Sequence, residues 1–209
     1  MKFKILFFLI IFSVTSSLSA MNATQLYWQT KKTVELEKIK DRLFTLPHQL
    51  IEAVQKNNDY EVARLLQSGV NPNIRNALGM PLLDFAVYHG YTRIADLLIS
   101  KGALVNGDAQ YIPLITAVKG NQLGMVKLLL SAKAAPNKQD KNGQTALMFA
   151  VEYNHPEIIR LLLQGGADAH LENKFHTTAI DMARQKNNQK LVDLLHSVSF
   201  EKFKGTNEE

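Results

Sequence analysis

A period of 33 residues constrains this chain more than anything else in it. A small residue recurs at Ala53, Ala86, Ala117, Ala150 and Ala183, at spacings of 33, 31, 33 and 33. An apolar position near the end of a second helical run falls at Leu66, Ile99, Leu130 and Leu163, with His196 closing the series. It keeps the same four spacings. Gly69, Gly102, Lys133 and Gly166 follow as stops, and four residues later stand Asn73, Asn106, Asn137 and His170. Landmarks that share one period and one two-residue deletion mean tandem units, each a pair of short helices. The stretch "GQTALMFAVEYNHPEIIRLLLQGGAD", residues 143–168, shows the plan most clearly.

Each landmark has a physical reason. The Ala sits where two helices approach closely, so a larger side chain would force them apart. The Leu-Leu-Leu run is apolar around more than half a helix, as expected when neighbours cover it on both sides. The Gly after it allows a left-handed C-cap. A unit this short cannot bury its apolar face alone, so stability comes from neighbouring units and the end units should be atypical. The last one is polar at Arg184, Gln185, Lys186, Asn187, Asn188 and Lys190. Ahead of the first one, Trp28, Leu36, Ile39 and Leu43 predict a helix with one apolar stripe, covering the open N-terminal end.

These residues resemble the ankyrin repeat family, whose pattern runs Gly-x-Thr-Pro-Leu-His-x-Ala-Ala, a Gly-His turn, Val-Val-x-Leu-Leu-Leu, then Gly-Ala-Asp-x-Asn. The copies here are "QLIEAVQKNNDYEVARLLQSGVNPN", "GMPLLDFAVYHGYTRIADLLISKGALVN", "YIPLITAVKGNQLGMVKLLLSAKAAPN", "GQTALMFAVEYNHPEIIRLLLQGGADAH" and "HTTAIDMARQKNNQKLVDLLH". The resemblance implies an all-α solenoid of helix-turn-helix units with short β-hairpin connections. Its units fall at about 46–75, 76–106, 107–139, 140–172 and 173–198, between an N-terminal capping helix at 21–45 and a polar tail at 199–209. Three departures stand out. The connection before the third unit is two residues short and should be stunted or re-formed around Asn106-Gly107. Lys133 takes the place of a C-cap Gly, so that helix end should be satisfied in some other way. His176 takes the place of a hairpin Gly, which implies a non-Gly residue at positive φ.

Residues 1–20 read as a separate segment. Lys2 and Lys4 precede an unbroken apolar run at 5–12 and then small, Ser-rich residues, the make-up of a secretory signal peptide cleaved after Ser19 or Ala20. The expectation is therefore an exported protein, periplasmic or secreted, with no stable membrane anchor once the segment is removed. The Lys-, Asn- and Ile-rich usage points to a bacterial source. There is no cysteine, which excludes disulfides, thiol nucleophiles and zinc-thiolate sites. Without Lys2 and Lys4 the chain keeps 22 basic against 19 acidic residues, a net charge of +3. That excess is too mild to argue for nucleic acid.

No enzyme signature emerges. The histidines, at 48, 89, 155, 170, 176 and 196, never stand at ligand spacing on a helix. His155 matches the turn His of the family pattern, a structural role. His170 and His176 with Asp168 or Glu172 would make only a thin metal site, and surface histidines are the favoured reading. There is no GxSxG elbow and no GxxxxGK[ST] loop. We expect no catalytic residues, no cofactor and no metal.

What remains is a binding surface. In the family, contacts cluster at the hairpin tips and late in the first helix. Carried over by position, these are Ala77, Leu78, Met80, Tyr88 and His89, then Asp108, Ala109, Tyr111 and Lys119. The fourth unit adds Lys141, Asn142, Gln144, Glu152 and Tyr153, and the fifth adds Lys174, Phe175, Thr177 and Gln185. Leu78, Met80, Tyr88, Tyr111, Tyr153 and Phe175 are apolar or aromatic where solvent normally selects polar residues, and the three tyrosines are expected along one face. The expected function is a non-enzymatic, monomeric scaffold that binds another protein. The alternative is an accessory or inhibitory subunit of an enzyme in the same compartment.

Overall fold

A computed structural model describes residues 23–40, 45–108 and 110–204. The segment expected to be a signal peptide, residues 1–20, lies outside them, as do Leu43 and Ala109. Two units divide the chain at Pro47. The first contains α1 (Ala23–Lys40). Along the predicted stripe Leu36 is half-buried, whereas Trp28 and Ile39 are exposed. Charged Lys31, Lys32, Glu35 and Lys38 interrupt any continuous apolar face, which is why a buried stripe does not form within this helix. Lys31 Nζ lies 5.9 and 5.1 Å from the ring centroids of Tyr27 and Trp28.

The second unit holds the repeats, its first helix beginning two residues before the boundary. Its helices are α2 (Leu46–Gln55), α3 (Asp59–Gln67), α4 (Leu82–Tyr88), α5 (Thr92–Ser100), α6 (Pro113–Lys119), α7 (Leu123–Ser131), α8 (Ala146–Glu152), α9 (Pro156–Gln164), α10 (Ala179–Gln185) and α11 (Gln189–Lys204). From α4 onward the seven-residue helices α4, α6, α8 and α10 stack on one another as an inner layer. Helices α3, α5, α7, α9 and α11 stack as an outer layer. α11 continues through Lys204, past the expected end of the repeats at residue 198.

The periodic alanines occupy equivalent layers. Ala53 is 5% exposed, and Ala86, Ala117, Ala150 and Ala183 are fully buried. The innermost outer-layer position is Leu65, Leu98, Leu129, Leu162 and Leu195, one residue ahead of the landmark read from the sequence, and all five are fully buried. Left-handed residues turn the chain at recurring places, beyond those at the tips. Between the helices they are Asn57, Gly90, Asn121, Asn154 and Asn187; after the outer helix they are Gly69, Gly102, Lys133 and Gly166.

Lys133 corrects one expectation. It takes φ +66 itself, and its N–H donates to the Leu130 carbonyl at 3.0 Å, as Gly102 donates to Ile99. The helix end is closed by the ordinary backbone bonds, and the side chain accepts the strain. His176, at φ +54, does adopt the expected left-handed conformation. The connections are tighter than full hairpins: the isolated bridge between Arg75 and Pro81 marks one of them, and no strand forms among the described residues. In the shortened connection Gly107 turns at φ +58, and Asp108 N–H donates to the Tyr111 carbonyl at 2.9 Å. A Cβ at Gly107 would overlap that same carbonyl oxygen, while one at Gly69 would meet nothing within 4 Å. Gly69→Ala should therefore cost only the ~1–2 kcal/mol of a left-handed Ala, and Gly107→Ala clearly more. Urea unfolding of the two variants checks this, and equal losses would contradict the crowding at Gly107.

The periodic asparagines tie unit to unit. Asn73 Oδ1 accepts from Leu104 N–H at 2.8 Å and its Nδ2 donates to the Gly102 carbonyl at 3.0 Å. Asn106 Oδ1 accepts from Ala135 N–H at 2.7 Å, and Asn137 Oδ1 from Asp168 N–H at 2.8 Å. Each clamp satisfies backbone groups of the next unit that no helix pairs.

Candidate functional site

Each connecting tip is organised by one Asx side chain. Asn76 Oδ1 accepts from the N–H groups of Leu78 and Met80, both at 3.0 Å. Asp140 Oδ1 accepts from Asn142 and Gln144, and Asn173 Oδ1 from Phe175 and Thr177. Asp108 does the same for Gln110 and Tyr111 at 2.7 and 2.8 Å, closing a tip one residue shorter. This column was missed in the sequence reading, although Asn or Asp at 76, 108, 140 and 173 carries it openly.

The tips lift Leu78 and Phe175 into solvent, 82% and 75% exposed. Lys141, Asn142 and Lys174 are exposed beside them, and Lys174 N–H donates to the Asn142 carbonyl at 3.0 Å, joining the last two tips. Ala77 is exposed, whereas Met80, Gln144 and Thr177 are half-buried. Tyr111 differs from expectation. It is half-buried, with Gln110 Nε2 3.3 Å from its hydroxyl and the Arg75 guanidinium 6.0 Å from its ring. It stands at the tip position of Met80, not at the helix end with Tyr88, so the three tyrosines do not form one row.

The helix ends instead carry two matching aromatic clusters. In the second unit His89 stacks on Tyr91 at 5.4 Å and lies 4.3 Å from Phe85, with Tyr88 edge-on at 5.1 Å. In the fourth, Tyr153 stacks between Phe149 at 6.4 Å and His155 at 6.0 Å. Phe85, Tyr91, Phe149 and His155 were not singled out as site residues; the shared spacing of four and then two residues was the available signal. His155 thus adds a stacking contact to its turn position. Tyr88 and Tyr153 are 65% and 47% exposed, and His89, Lys119, Glu152 and Gln185 are exposed too. Between the clusters, Lys119 Nζ lies 3.9 Å from the Phe149 ring centroid. A groove of about 500 Å³ opens there, lined by Gln110, Ile112, Ile115, Thr116, Lys119, Asp140 and Lys141.

Charges bind this face together. Arg75 pairs with Asp108 of the next unit at 2.7 Å, and with the Tyr111 N–H this holds the Asp108 carboxyl down to about 2. Gln139 plays the equivalent strut, donating to the carbonyls of Gly143 and Glu172 at 2.8 Å each. His176 Nδ1 sits 2.8 Å from Glu172 Oε2, so this imidazole is engaged locally and not with His170. Asp84 is the anomaly: 2% exposed, with neither carboxylate oxygen hydrogen-bonded. Burial, with some help from Asp108, pushes its carboxyl up to about 7 against the pull of Arg75 and Lys138.

A family model described as ankyrin repeats, in three copies, matches residues 50–140 and 114–203. A Treponema pallidum protein named for ankyrin repeats is 32% identical over 126 residues, 58% of this chain and 42% of its own length. A Rickettsia felis protein so named is 44% identical over 68 residues, 31% of this chain and 30% of its own. One from Pseudomonas aeruginosa is 43% identical over 44 residues, 21% of this chain and 26% of its own. The chain spans between a quarter and under half of the length of these relatives.

Proposed function

This chain belongs to the ankyrin repeat family, a family generally of protein-binding modules, and from that premise we propose that it is an exported, monomeric, non-enzymatic scaffold. It grips a partner protein with its tips and the inner-helix ends. One observation carries the reading: Leu78, Tyr88, Tyr153 and Phe175 are large, apolar and exposed on those features, where burial against a partner would be most favourable. Rigid aromatic rings bury much area at small entropic cost. Export rests on the make-up of residues 1–20, and periplasm and secretion are both compatible with it. Among the described residues no helix is long and apolar enough to cross a membrane.

Crosslinking in the native compartment, followed by mass identification, tests this. The variant Tyr88→Ala/Tyr153→Ala/Phe175→Ala should lose at least tenfold in capture of the partner so found. Ser131→Ala, on the outer layer, should lose none. Undiminished capture by the triple variant, with its helical spectrum intact, overturns the assignment of this face. A captured enzyme whose rate changes on binding would identify the chain as its accessory or inhibitory subunit.

A further inference from the structure

We propose that the groove between the third and fourth units receives an acidic side chain of an extended partner segment, flanked by apolar side chains that seat on Tyr88 and Tyr153. The inference rests on the protein-binding reading and names the partner's chemistry. Lys119 and Lys141 both line the groove, both are exposed, and neither forms an ion pair among the described residues. The one carboxylate in the lining, Asp140, already spends Oδ1 on two backbone N–H groups at 2.8 and 2.9 Å. Of the other cations nearby, Arg75 is occupied by Asp108, Arg184 by Asp181, and Lys186 by the Glu152 carbonyl at 2.7 Å, while Lys174 at the next tip is exposed and lies outside the groove lining. The groove therefore presents two ammonium groups without a carboxylate partner among the described residues, above the largely buried floor of Ile112 and Ile115. A carboxylate is the group that complements it.

The spacing follows from the stack. Tyr88, Lys119 and Glu152 are the same position in successive units, and Tyr153 is the next residue after Glu152. Neighbouring helices pack roughly 8–10 Å apart, and an extended segment advances about 3.3 Å per residue. One unit thus corresponds to about three residues of a segment crossing the inner layer. The recognised pattern is an Asp or Glu with an apolar residue three positions to either side. The Phe149 ring, 3.9 Å from Lys119 Nζ, limits where that ammonium group can lie.

The test pans a random-peptide display library on the full chain, on Lys119→Glu/Lys141→Glu and on Lys119→Met/Lys141→Met, each checked for an unchanged thermal midpoint. On the native chain, enriched peptides should carry the acidic residue with its two apolar flanks, and replacing that acid by Ala should weaken binding about tenfold. The charge-reversed variant should select Lys or Arg at the same place, and the methionine variant should show no charge preference there. The proposal is overturned by a consensus without an acid, by an acid that survives charge reversal, or by no enrichment at all. Should that happen while the Tyr88/Tyr153/Phe175 variant still releases the crosslinked partner, only the acidic-segment inference fails and the protein-binding reading stands.

Discussion

Replacing Asp84 by Asn should raise the thermal midpoint at pH 8 by roughly 10 °C, and by almost nothing at pH 4. The reason is a missing partner. Asp181 occupies the same position in the last unit, and there the capping Thr178 donates its hydroxyl and its backbone N–H to the carboxylate at 2.6 and 3.1 Å. Those bonds hold Asp181 below the ordinary carboxylate range. In the second unit the cap is Pro81, which has neither an O–H nor an N–H. Asp84 is left fully enclosed with no donor, and its carboxyl rises from 3.8 to about 7.

The sign follows from proton linkage. The folded chain holds this proton more tightly than the unfolded chain, so stability is highest below about pH 4 and falls as pH climbs towards 7. The full difference corresponds to about 4 kcal/mol, and a domain of this size shifts by roughly 2–4 °C per kcal/mol. Asn at position 84 carries no charge and loses that dependence. Asp108, held near 2, stays ionised across the window, so the difference between the two unfolding curves reads Asp84. Pro81→Thr should have a related effect by restoring the donor, lowering the Asp84 carboxyl and flattening the same slope. A native-minus-Asn difference that stays constant from pH 4 to 8 would show that Asp84 is not charged at the cost assigned to it.

The fold was legible because it is periodic: five alanines at fixed intervals name five buried contacts, and every one is buried. Patterns inside one unit were harder to read. The Asx column at 76, 108, 140 and 173 hides its function because Asn and Asp are common in any polar loop, and only the backbone geometry shows which N–H groups they collect. Tyr111 was already aligned with Met80 by counting units; what failed was the expectation that it shares one face with Tyr88 and Tyr153, because a tip residue and a helix-end residue stand on different features. Asp84 is the reverse case. The residue and its missing cap were both visible in "MPLLDFA", but the cost depends on burial, which depends on neighbouring units in place.

Leu129→Ala should cost about 4 kcal/mol, and Leu195→Ala about half of that, although both side chains are fully buried. Residue type and burial are equal, so any difference must come from position in the stack. Leu129 lies on α7, which packs on α5 and α9 as well as on its own α6. A cavity there weakens contacts on both sides, and the chain cannot discard a central unit without exposing two apolar faces. Leu195 lies on α11, the last outer helix among the described residues, whose main packing is on α9 and α10. The cavity there can be relieved by fraying of α10 and α11 while the earlier units stay folded. Urea unfolding followed by circular dichroism gives the two losses, and hydrogen exchange shows where protection disappears. For Leu195→Ala it should vanish only after residue 178, and for Leu129→Ala throughout the stack. Equal losses with uniform loss of protection would mean that these repeats melt as one indivisible core, and nearest-neighbour stacking would then no longer explain their stability.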